Sequence, residues 1–192
     1  MLFRSKLIEG LVAPLNQSGD KEGCSIENGV VTTPAGFKEA YAAWTEGGWS
    51  SLTGDVNYGG QGMPKVLSAL IEEMTFGANS SFALYTLLST GTTLTLNQHA
   101  SEELKQIYLP KLYQGHWSGT MCLTEPQAGT DLGMIRTKAV PGPNGSYHVT
   151  GTKIFITGGD HDLTENIIHL VLARLPDAPA GSGGISMFLV PK

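Results

Sequence analysis

The spacing of apolar positions changes character near Gly119. Before it, apolar residues recur at helical intervals. Leu2 to Leu15 reads as the tail of a helix ended by Pro14, and Cys24 to Val31 reads as loop. Thr33 reads as an N-cap with Pro34 at the first helical position; Phe37, Tyr41 and Trp44 then share one face, and Gly47-Gly48 stops the helix. Trp49 to Met63 is a long Gly-rich loop, and Pro64 opens a helix striped by Val66, Leu67, Leu70, Ile71 and Met74. Ser81 to Leu96 is apolar or small nearly all round, which suits the middle of a bundle. Ser101 caps a further helix with Glu102 and Glu103 at its positive end and Leu104, Ile107 and Tyr108 inward, and Pro110 and Gly115 bracket its last turn.

After Gly119 the period becomes two. Strands are predicted at Met121–Thr124, Thr137–Val140, Ser146–Thr150, Lys153–Thr157, Ile167–Arg174 and Ile185–Val190, with PGPNG as the turn of a hairpin. Helices first and strands afterwards define an α+β chain, an N-terminal helical bundle followed by an antiparallel β domain. The last strand runs out at Pro191-Lys192, so its outer edge is expected to be open and the β domain incomplete.

Charge narrows the partners. With 12 basic against 17 acidic residues and a net charge of -5, and no basic stripe, nucleic acid is not expected. Cys24 and Cys122 lie far apart without metal-ligand spacing, which points to reduced thiols and a cytoplasmic setting. The opening MLFRSKLIEGLV carries charges through its apolar run and reads as neither signal peptide nor membrane span.

The densest candidate chemistry lies in TMCLTEPQAGTDLGM, Thr120 to Met134. An apolar run breaks at Pro126 and turns through Ala128-Gly129, which frees backbone N–H groups beside the hydroxyls of Thr124 and Thr130 and the carboxylates of Glu125 and Asp131. Such a cradle suits a phosphate or the polar edge of a heterocycle, and the same residues also fit an ordinary strand-to-loop exit. A nucleophile elbow, a Walker loop and a complete dinucleotide fingerprint are absent from the sequence. Asp160-His161-Asp162 is a polar knot that reads as surface loop rather than metal site, and Phe155 and Thr157 read by themselves as core and strand-end residues.

In combination these stretches resemble the flavin-dependent acyl-CoA dehydrogenases. The resemblance rests on Leu123-Thr124-Glu125-Pro126-Gln127-Ala128-Gly129-Thr130-Asp131 and on Gly151-Thr152-Lys153-Ile154-Phe155-Ile156-Thr157-Gly158, with support from Tyr58-Gly59-Gly60-Gln61-Gly62 and from Ser101 to Pro110. FITGGDHDLTENI and the Gly-rich loop after Trp49 resemble the larger bacterial members. The resemblance implies FAD as cofactor, an acyl-CoA as substrate, an electron-accepting flavoprotein as partner and a homo-oligomer in the full-length form. It places Met121, Leu123 and Thr124 against the flavin, with Thr124 at its pyrimidine edge. Phe155 would pack on the ring system beside Ile156, Thr157 would reach the N5 region, and Thr130 would approach the CoA side. Glu125 and Asp131 would fix the loop, and neither would be the base.

Two departures from the family pattern stand out. Met134 occupies a position where the signature has a small residue, so crowding of the turn is expected. The family's catalytic Glu belongs to a C-terminal helical bundle absent from this sequence, which divides into a helical region, 1–118, and a partial β region, 119–192. The chain is therefore expected to hold part of a flavin site and no catalytic residue, and to be inactive alone. The alternative is a non-catalytic interaction or structural module that keeps the fold.

Overall fold

The computed structural model describes residues 6–192. A π-helical turn (Ile8–Val12) leads into α1 (Leu15–Glu22), a short hairpin β1–β2 (Ser25–Glu27, Val30–Thr32) and α2 (Phe37–Glu46). Short 3-10 turns then precede α3 (Lys65–Ala78), α4 (Ser80–His99) and α5 (Glu102–Tyr113). The strands are β3 (Trp117–Cys122), β4 (Lys138–Pro141), β5 (Tyr147–Thr150), β6 (Asn166–Arg174) and β7 (Ile185–Pro191).

Asn79 and Ser101 start the two long helices that reach the sheet. Asn79 Oδ1 accepts the Phe82 N–H at 3.0 Å, and Ser101 Oγ accepts the Leu104 N–H at 3.4 Å. One apolar cluster fills the helical layer, where Phe82 meets Phe37 and Trp44 edge to face at 6.1 and 6.2 Å. A second cluster joins helix to sheet. Leu96, Leu109 and Leu112 pack on Ile168 and Leu170 of β6. Each such fully buried Leu or Ile contributes about 1.5–3 kcal/mol.

β6 is the centre of the sheet. β3 runs parallel to it from Trp117↔Asn166 to Cys122↔Val171, and β4 meets it in parallel at Lys138↔Arg174. β7 lies antiparallel on the other side, and β4 and β5 form an antiparallel hairpin. The expected wholly antiparallel sheet is thus corrected to a mixed one. Residues 123–165 separate β3 from β6, long enough for the crossover that a parallel pair requires.

Gly119 lets β3 lean on α4. A Cβ there would lie 2.3 Å from Thr92 Oγ1, and the Gly119 N–H donates to Ser89 Oγ at 3.1 Å. A second tie joins the halves at Asp162, whose Oδ1 accepts the Thr33 N–H and hydroxyl at 3.0 and 2.7 Å while Oδ2 pairs with Lys38 at 2.8 Å.

Several local expectations change. The part of the Leu2–Leu15 helix before residue 6 lies outside the described residues, and Pro14 precedes α1 rather than ending a helix. Cys24–Val31 is mostly hairpin, because Asn28 and Gly29 both adopt positive φ. Thr33 does not cap α2; Gly36 stands at that position and Thr33 is taken by Asp162. Pro110 lies inside α5, and Leu104 and Ile107 face outward while Leu109 and Leu112 face in. On α3 only Ile71 is fully buried from the expected stripe; Val66 is 66% exposed. Lys153–Thr157 forms no strand.

Candidate flavin-facing site

The site is built where β3 ends. Beyond Cys122 the chain passes through Leu123 and Thr124 into a tight turn in which Glu125 and Ala128 exchange backbone hydrogen bonds at 2.8 and 3.0 Å. The Glu125 carboxylate, 3% exposed, turns inward and organises everything around it. Its Oε1 accepts the Thr137 hydroxyl at 2.5 Å, the Thr137 N–H at 3.0 Å and the Lys153 ammonium at 2.9 Å. Its Oε2 accepts the Arg136 N–H at 2.7 Å and the Gln127 amide at 2.6 Å. Burial raises the pKa of this carboxyl, yet the donors and the ammonium outweigh it and bring it down to about 2.

Lys153 also donates to the Leu123 carbonyl at 2.9 Å, and the Ile154 N–H donates to the Thr124 carbonyl at 2.9 Å. Lys153 and Ile154 are thereby tied to Leu123 and Thr124, and Phe155–Thr157 follow directly along the chain. Asp131 Oδ1 accepts the Gly133 N–H at 2.9 Å and caps the turn Leu132–Met134. Arg174 holds that turn from behind through the carbonyls of Gly133 and Ile135, at 2.9 and 2.8 Å. The Met134 side chain is exposed, so it does not crowd the turn.

Leu123, Thr124, Ile156 and Thr157 are half-buried, and Thr130 is exposed in the turn. Among the described residues, the hydroxyls of Thr124, Thr130 and Thr157 find no hydrogen-bond partner, whereas those of Thr120 and Thr137 do. Met121 packs partly against the cluster between helices and sheet. Phe155 is the opposite case. It is 88% exposed with φ at +56°, a large apolar ring in the left-handed region. The expectation of a core position is overturned, and a bulky residue held there marks a place where strain is tolerated for another reason. Phe155→Gly is expected to stabilise the ligand-free chain by up to about 1 kcal/mol in urea unfolding, because the relief of backbone strain outweighs the freedom that Gly adds to the unfolded chain.

Under the turn Thr157–Gly159 lies His161, 4% exposed and stacked edge to face on Tyr85 at 5.1 Å. The Leu163 N–H donates to its Nδ1 at 3.2 Å, so Nε2 carries the proton and donates to Ser118 Oγ at 3.0 Å. Thr164 donates its hydroxyl to the Asn166 carbonyl at 2.9 Å, which leaves its oxygen to accept from Ser118 at 3.2 Å. Of the expected surface knot, His161 is buried and bonded to Ser118 and Leu163, while Asp160 remains partly exposed. Among the described residues, no group of His, Cys, Asp and Glu is arranged to hold a metal ion. A cavity of about 260 Å³ opens among the helices beside Trp44, Leu52, Ile71 and Leu87, but none of the cofactor candidates lines it.

The residue pattern carries no sign of Ser118 as a partner of His161, nor of the roles that Lys153 and His161 take here. Lys153 itself stands out as a lone cation in an apolar run, a position that demands a buried anion, but nothing in the pattern says which.

Comparison with known proteins agrees with this architecture. Residues 27–116 match the acyl-CoA dehydrogenase N-terminal domain and residues 120–192 the acyl-CoA dehydrogenase middle domain. The chain belongs to the acyl-CoA dehydrogenase family. It is 52% identical over 182 residues to 3-methylmercaptopropionyl-CoA dehydrogenase of Ruegeria pomeroyi, covering 95% of this chain and 31% of that protein. Among solved structures, acyl-CoA dehydrogenase from Geobacillus kaustophilus superposes with a TM-score of 0.77 at 28% identity, over 100% of this chain and 47% of that one. An acyl-CoA dehydrogenase complexed with FAD from Bacillus anthracis gives 0.77 at 26% identity, over 98% and 30%. The chain thus spans about a third of the length of that Ruegeria relative. Among the described residues, no helix is long and apolar enough to cross a membrane.

Proposed function

We propose that this chain supplies the N-terminal and middle portions, divided near residues 118 and 119, of an FAD-dependent dehydrogenase that oxidises an acyl-CoA thioester to its trans-2-enoyl form. The observation that supports it most is the tie of Lys153 and Ile154 to Leu123 and Thr124, flanked by the unpartnered hydroxyls of Thr124 and Thr157 and the exposed, strained ring of Phe155. The donor set fits an isoalloxazine: hydroxyls for its polar edges, apolar side chains for its faces. FAD, when bound, accepts the hydride from the β-carbon.

In this reading Thr124 hydrogen-bonds the pyrimidine edge and Thr157 the N5 region, while Leu123, Ile156 and Phe155 shield the ring and Met121 supports it from below. Thr130 meets the CoA side. Glu125 is committed to its five donors and held far below neutrality, so it orients the loop and does not take the α-proton. The base is a carboxylate of the region that longer family members have and this chain does not span. An electron-accepting flavoprotein, homo-oligomerisation of the full-length form and a cytoplasmic setting complete the proposal.

The test is reconstitution with FAD, removal of free cofactor and a visible spectrum, followed by anaerobic acyl-CoA with and without the remaining region of a relative added in trans. Retained flavin that bleaches only with that region present is expected. A chain that retains no flavin in either case would favour the non-catalytic module.

A further inference from the structure

The segments on which the flavin reading depends are joined by few bonds. β3 ends at Cys122 and residues 151–157 form no strand, so no ladder runs between them. The Ile154 N–H to the Thr124 carbonyl, at 2.9 Å, is the backbone tie between these stretches among the described residues. The side-chain tie comes from the preceding residue: the Lys153 ammonium reaches the Leu123 carbonyl and Glu125 Oε1, each at 2.9 Å, with 11% of the side chain exposed.

We infer that Lys153 is a positioning residue of the cofactor site, setting the register of Ile154–Thr157 against Leu123–Thr124. An ammonium has three protons, and two of them are used here on acceptors two residues apart along the same chain. Holding both at once fixes where Lys153 sits along the end of β3. Ile154 then follows with its N–H aimed at the carbonyl between them, and Phe155 to Thr157 are carried to their places. Glu125 keeps the cation charged in a nearly closed setting, because an unpaired ammonium would not tolerate it. A mere counter-ion to Glu125 would need no contact with Leu123.

The functional consequence rests on the flavin reading; the geometric one does not, and the test separates them. In the ligand-free chain, Lys153→Gln is expected to speed amide exchange at Ile154 by roughly tenfold or more beyond the change at Leu170 in β6, which reports the loss of global stability. In the FAD-loaded chain the same variant is expected to weaken flavin binding by roughly tenfold and blur the fine structure of its visible band, with partial recovery in Lys153→Arg. Because a lone Gln leaves Glu125 without its cation, the charge-balanced pair Lys153→Met with Glu125→Gln is the control. It is expected to fold and still show fast exchange at Ile154. Protection at Ile154 equal to the unaltered chain in that pair, or flavin affinity and spectrum untouched by Lys153→Gln, overturns the inference. If the unaltered chain binds no FAD, the functional reading falls while the exchange at Ile154 still decides the positioning role.

Discussion

Glu125→Gln is expected to lower the stability of the chain by about 3 kcal/mol at neutral pH, measured by urea unfolding. The figure follows from the fall of the Glu125 pKa from 4.5 to about 2, since each tenfold drop in proton affinity is worth about 1.4 kcal/mol of preference for the ionised form. Gln keeps the shape but not the charge, and its amide N–H groups would confront other donors at Arg136, Thr137 or Lys153. Glu125→Ala is expected to cost more, about 3–5 kcal/mol, because it leaves the Lys153 ammonium buried with the Leu123 carbonyl but no anion to balance its charge. Against a total of about 5–15 kcal/mol for a domain, that change nears unfolding. The sign with pH follows: the folded-state pKa is depressed, so the contribution is complete above the unfolded value and is lost as pH falls from 4.5 towards 2. The same acid window weakens the tie at Asp162, whose pKa also lies near 2: burial raises it, and the bonds from Lys38 and Thr33 outweigh burial.

A second loss sets in at milder acidity. Burial first, then the nearby Lys192 charge, lowers the His161 pKa from 6.5 to about 4, against the opposing pull of Asp160 and Asp162. A proton added to Nδ1 would face the Leu163 N–H, donor against donor. The unfolded chain binds that proton more readily, so stability is complete above pH 6.5 and falls as pH drops through 4, by up to about 3 kcal/mol. His169, lowered by its own burial, acts in the same direction. Unfolding free energies at a series of pH values should therefore show two descending legs. In His161→Phe the upper leg should shrink to what His169 contributes, and the plateau at neutral pH should drop because Ser118 loses its donor. An upper leg of unchanged depth in that variant would contradict the assignment of this loss to His161.

Much of the frame was legible from pattern. Ser101 before two glutamates, Pro64 before an apolar period and PGPNG between alternating residues each encode an element through local chemistry, and each stands where expected. The failures share a cause. Thr33 has the form of an N-cap, but its hydroxyl is claimed by a carboxylate 129 residues away. KIFIT has strand propensity, but the pull of Lys153 on Leu123 and the positive φ at Phe155 give it another path. The Asn28-Gly29 turn, by contrast, is encoded locally, since both residues tolerate the positive φ that a two-residue hairpin loop requires. For the site, the motif residues were found by resemblance, whereas the carboxylate hub joining them depends on Arg136 and Thr137, whose backbone groups carry no sequence signal.

The central claim is that the end of β3 and the stretch Ile154–Thr157 form one face for an isoalloxazine ring. Titrating the isotope-labelled chain with FAD and following its backbone amide resonances tests this most directly. Saturable shifts concentrated on Leu123, Thr124, Phe155, Ile156 and Thr157 are the expected result. Shifts confined to the helical cavity beside Trp44 and Leu87, or none at all, would contradict it.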